Sequence, residues 1–109
     1  MTHNICQLVL TTLPDSAAAQ RLAEALVRDG LASCINILPS MQSIYHWKGR
    51  METAQEHLVV IKCSASRYHD IQERILSLHP YELPEIIAVP IADGLPAYLA
   101  WLQNPELTP

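Results

Sequence analysis

LASCINILPSMQSIYHWKGRMETAQEHLVVIKC, Leu31–Cys63, decides the architecture. It reads as two extended segments flanking Lys48-Gly49-Arg50, where the glycine supplies a tight reversal, so it predicts one long hairpin. An unbroken strand from Ala32 to Trp47 would run about 50 Å at ~3.3 Å per residue, whereas a globule of this size is about 35 Å across. The hairpin must therefore bend or project. Pro39 cannot donate to a strand ladder, which places the bend there and leaves Ser43–Ala54, SIYHWKGRMETA, as a ribbon beyond the domain body. An isolated two-stranded ribbon carrying Ile44, Tyr45 and Trp47 is marginal in water, and its simplest resting place is a neighbouring subunit.

Working outward, ICQLVLTT (Ile5–Thr12) is short, apolar and β-branched, bounded by Leu13-Pro14-Asp15, and predicts a buried strand. A helix follows, with Asp15 or Ser16 as cap, Gly30 as stop, and Ala19, Leu22, Ala23, Leu26 and Val27 on its apolar face. Beyond the hairpin, SASRYHDIQERILSLHP predicts a second amphipathic helix with Tyr68, Ile71, Ile75 and Leu78 inward. Pro80 ends that helix and drives His79 out of the helical region. EIIAVPI is a fourth strand, held to an edge or to its last rungs by Pro90. LPAYLAWLQN closes the series as a helix with Pro96 in its first turn and Tyr98, Leu99, Trp101 and Leu102 apolar. This order predicts an α+β fold, a ferredoxin-like βαββαβ sandwich with a long hairpin and a C-terminal helix. One domain accounts for residues 1–109, with an ordered core of about 4–104.

The bulk properties remove several classes. Half of the 109 residues are hydrophobic, but no apolar run approaches the ~18 residues needed to cross a bilayer, and the start lacks the order of a signal sequence. Seven scattered Lys and Arg against a net charge of -4 give no footprint for nucleic acid. Cys6, Cys34 and Cys63 are odd in number, well separated and without a C-x-x-C, which points to a reducing, cytoplasmic compartment rather than a disulfide framework or a thiolate copper site. The sequence holds no G-x-S-x-G, phosphate loop, dinucleotide fingerprint or metalloprotease helix, and the expectation is a protein without catalysis.

HPY-x-x-PEI within HPYELPEIIAVPI (His79–Ile91), together with SIY-x-W-x-G in the ribbon, HLVVIKC after it and YLAWL in the last helix, resembles the CutA divalent-cation-tolerance family from Leu8 to Leu102. The resemblance implies a ferredoxin-like subunit in a tight homotrimer whose hairpins pair with neighbouring subunits. It also implies tolerance to copper and other divalent cations. Metal-binding members carry a cysteine near the end of the first strand and a His-His pair before the Pro-Tyr. Thr11 and Leu78 stand at two of those three positions, and only His79 is kept.

His79, at the end of a helix, is therefore the first candidate ligand for Cu(II) or another divalent cation, and Glu56 offers a carboxylate across the same cleft. Lys62, Tyr81, Glu85, Trp47 and Tyr45 are the candidate lining of a small-ligand cleft, formed where one subunit's ribbon meets another's HPY motif. His46 and His57 can approach each other across the hairpin but lack a third donor. Three functions follow in order: a homotrimeric metal-tolerance protein, a trimeric signalling module holding an anionic effector at Lys62, Tyr81 and Trp47, and a non-catalytic interaction scaffold.

Overall fold

The computed structural model describes residues 5–106. Its elements run β1 (Cys6–Leu13), α1 (Ser16–Arg28), β2 (Cys34–Trp47), β3 (Arg50–Ser64), α2 (Tyr68–Leu78), β4 (Ile87–Pro90) and α3 (Pro96–Gln103). The four strands form one sheet in the order β2-β3-β1-β4, with every neighbouring pair antiparallel. Two helical crossovers on an antiparallel sheet of that order make the predicted ferredoxin-like sandwich.

Strand alternation builds the core. Val9 and Leu13 of β1 and Val59, Ile61 and Cys63 of β3 point to one face, where they meet Ala19, Leu22 and Leu26 of α1 and Ile71 and Ile75 of α2. The Asp15 carboxylate caps α1 by accepting from the Ala18 N–H at 2.8 Å, which leaves Ser16 inside the helix. At the other end Gly30 has φ +74°, its N–H donates to Val27 O, and the Leu31 N–H donates to Leu26 O. That pair of bonds is a Schellman stop, and only a left-handed residue completes it without strain.

Two helix faces differ from expectation. Ala18 and Ala25 are buried beside Leu22 and Leu26, while Val27 is exposed and Ala23 only half-buried. Both choices satisfy a helical period; the alanine side lets the helix axis approach the sheet more closely. In α2, Leu78 is exposed because the helix ends there and His79 is already extended.

The hairpin bends where proline requires it. Leu38 pairs with Leu58 and Met41 with Glu56, so Pro39 and Ser40 together face the single residue His57. This is a β-bulge, with Ser40 at φ 59°. His46 pairs with Met51 rather than approaching His57. At the tip both Lys48 and Gly49 have positive φ, the two-residue turn whose twist suits a hairpin. The ribbon stretches the molecule to 47 Å along its longest axis, against 30 and 23 Å along the others.

β4 is an edge strand, with Pro90 opposite Gln7 at its last rung. The sheet face away from α1 and α2 is covered at one end only, by α3. There Leu102 is buried, the Ser33 hydroxyl donates to Leu102 O at 2.6 Å, and the Cys6 thiol contacts Leu99 O. By register the remainder of that face carries Leu10, Leu38, Leu58, Val60, Ile87 and Val89, none of them buried in the single chain.

Candidate functional site

β3 brings Glu56 to the foot of the ribbon, directly opposite Met41, so alternation places Ser43, Tyr45 and Trp47 on the same side as its carboxylate. The segment after α2 closes over them. Together Thr12, Ser43, Ile44, Tyr45, Trp47, Glu56, Pro80, Tyr81, Glu82, Leu83 and Glu85 line a cleft of about 670 Å³. Its charged lining is acidic throughout, with three carboxylates and neither lysine nor arginine.

His79 organises this region without entering it. Its Nδ1 accepts from the Tyr81 N–H at 3.1 Å, which leaves the proton on Nε2, 2.7 Å from the Thr12 carbonyl. The ring thus clips the turn to the end of β1 and packs 4.8 Å from the Tyr81 ring, centroid to centroid. Tyr81, so positioned, donates its phenol to Glu56 Oε2 at 2.7 Å. Glu56 is only 7 % exposed, yet among the described residues its other oxygen, Oε1, accepts from no donor and pairs with no cation. Glu56 lines the cleft, so its second carboxylate oxygen is available to pair with a cation there.

Burial, then the Glu56 carboxylate, push the Tyr81 phenol well above its ordinary range, and burial pushes the Cys63 thiol from 9.0 up to about 11. Both groups stay neutral in the fold at a pH where the unfolded chain ionises. Their contribution to stability is complete below about pH 9 and is lost as pH rises toward about 11 for Cys63, and higher still for Tyr81. The thermal midpoint is expected to fall across that window, and to fall less in Cys63→Ala. An identical pH slope in the two proteins would contradict the assignment.

The residues expected at the cleft and at the metal site are placed differently from expectation in three respects. Tyr45, Trp47, Tyr81 and Glu85 converge within one chain, without a second subunit. Lys62 lies elsewhere, beside Cys34 and Leu8 on the sheet face under α3, with its Nζ 5.9 Å from the Tyr98 ring centre. Glu56 meets Tyr81 rather than His79, whose two nitrogens are both engaged by backbone. Among the described residues no three His, Cys, Asp or Glu side chains converge as a metal cage. The donor set fits a solvated cation on carboxylate oxygen better than an imidazole–thiolate copper centre. Thr12, Ser43, Ile44 and Leu83 also line the cleft, none of them expected there from the sequence. For Ser43 and Ile44 a signal existed, since both belong to the ribbon that carries Tyr45 and Trp47.

Residues 7–105 match the family model of the CutA1 divalent ion tolerance protein. The chain is 43 % identical over 98 residues to the divalent-cation tolerance protein CutA of Thermus thermophilus, covering 90 % of this chain and 95 % of that one. Against human protein CutA the identity is 39 % over 93 residues, 85 % of this chain but 52 % of the relative. The chain likewise spans about half the length of the plant and mouse relatives it matches. Among solved structures, the Thermus thermophilus divalent cation tolerance protein superposes with a TM-score of 0.89 at 42 % identity, covering 91 % of this chain and 96 % of that one. CutA from Xylella fastidiosa gives 0.86 at 41 %, covering 89 % and 93 %. Relatives include proteins named as chloroplastic and one structure described as periplasmic, and no helix among the described residues is long and apolar enough to cross a membrane. With its fold, its ribbon and nearly all of its length in common with these proteins, the chain belongs to the CutA1 divalent ion tolerance family.

Proposed function

We propose that the protein is a cytoplasmic homotrimer that confers divalent-cation tolerance by holding cations weakly in its acidic clefts, and that it acts by binding rather than by catalysis. Glu56 carries this reading: a nearly buried carboxylate with one oxygen fixed by Tyr81 and the other open to a cation. Assembly is supported by the uncovered sheet face and the projecting ribbon, two apolar surfaces that a lone chain leaves in water. The three cysteines are unpaired, in keeping with a reducing compartment. An anionic effector finds no support here, because Lys62 is outside the cleft and no cationic side chain lines it.

Calorimetry with Zn(II) and Cu(II) tests the site. Glu56→Gln keeps the phenol's partner but removes the charge, and is expected to weaken binding roughly tenfold, the scale of one charge-assisted contact. Unchanged heat in that variant would remove Glu56 as the anchor. If His79→Ala alone abolished binding, the imidazole would be the ligand and the arrangement in solution would differ from the one described.

A further inference from the structure

The cleft is shaped for more than a bare ion. A metal ion gains affinity from several donors converging at one point, and no such cluster exists among the described residues. What converges instead is a single recessed carboxylate and a set of aromatic side chains: Glu56 at the base, Tyr81 beside it, and Tyr45 and Trp47 along the ribbon wall. Aromatic faces attract organic cations through their quadrupole, and one carboxylate oxygen suffices for a primary ammonium. Ile44 and Leu83 add apolar wall on which a hydrocarbon stem can rest. The volume, about 670 Å³, lies within the ~300–1,000 Å³ typical of small-molecule sites.

From this combination we infer that the cleft is a binding site for a small organic cation, a primary ammonium carried on an apolar body. The ammonium sits at Glu56 Oε1, the oxygen that Tyr81 leaves free, and the stem lies between the ribbon aromatics and the turn after α2. Anions are excluded by the three carboxylates, and neutral analogues leave the Glu56 charge uncompensated. Lys48, whose Nζ is 5.7 Å from the Trp47 ring centre, does not line the cleft and so leaves the position at Glu56 open. This inference uses the same carboxylate as the divalent-cation reading but does not depend on it.

The test is calorimetry of the full chain with 2-phenylethylammonium, its neutral analogue 2-phenylethanol and its anionic analogue 3-phenylpropionate, beside a separate Zn(II) titration. The ammonium is expected to bind at least tenfold more tightly than either analogue. Glu56→Gln is expected to weaken it tenfold or more, and Trp47→Leu several-fold, with sedimentation of Trp47→Leu run beside it to show that assembly is retained, since the ribbon also takes part in assembly. Glu24→Gln, on the outer surface of α1, serves as the unaffected control. Equal binding of the ammonium and 2-phenylethanol, an absence of ammonium heat, or an unaltered affinity in Trp47→Leu would overturn the inference. Zinc heat without ammonium heat would do so while leaving the divalent-cation reading intact; ammonium heat without zinc heat would support the inference and remove that reading.

Discussion

A Leu10→Asp chain is expected to sediment as a monomer under conditions where the wild type sediments as a trimer. Leu10 lies mid-sheet between Val60 of β3 and Ile87 of β4, on the face that α1 and α2 do not cover and that α3 covers only at one end. If three such faces meet, the substitution places three carboxylates in the seam. Each would carry a desolvation penalty of several kcal/mol with no partner to offset it. Inside the subunit the cost is small, because Leu10 is only half-buried there. Loss of assembly with secondary structure retained is the expected signature. A variant that stayed trimeric would move the seam away from this face.

The second large effect belongs to the subunit core. Leu26→Ala is expected to cost about 2–5 kcal/mol, the range for removing a fully buried leucine and leaving a cavity. Leu26 has no exposed surface and sits between α1 and the sheet, and its carbonyl also receives the Leu31 N–H of the helix stop. Urea unfolding at fixed protein concentration measures the loss, since any assembly makes stability depend on concentration. Leu76→Ala, on the exposed side of α2, is the comparison and should stay within ~0.5 kcal/mol. Equal effects at the two positions would mean that the helices are not packed as described.

Much of this architecture was legible because it rests on local rules. Pro80 had to end α2, Gly30 had to follow α1, and a hairpin too long for its globule had to bend at Pro39. The same length argument also marks out the ribbon that carries Tyr45 and Trp47. What local pattern left open was the choice between equivalents. The period of α1 allowed either Ala25 or Val27 to face the sheet, and packing against the strands chose the smaller residue. Residue type alone points Lys62 to the cleft, whereas its register beside Leu8 and Cys34 puts it under α3. His79 shows the limit most clearly. Its partner is the backbone carbonyl of Thr12, distant in sequence, and a backbone carbonyl has no residue-type signature to read. An imidazole that looked like a ligand is therefore a clip, and the nearby carboxylate it helps to position holds the free oxygen.

Native mass spectrometry of protein purified without chelator, followed by titration with Zn(II), reads subunit number and bound ion in one spectrum and so tests trimeric cation binding at Glu56. The expected spectrum shows three 12.2 kDa chains at micromolar concentration that gain zinc on titration, with Glu56→Gln forming the same trimer but gaining less. A species of one chain, or a trimer whose zinc uptake is the same with and without the Glu56 carboxylate, would contradict it.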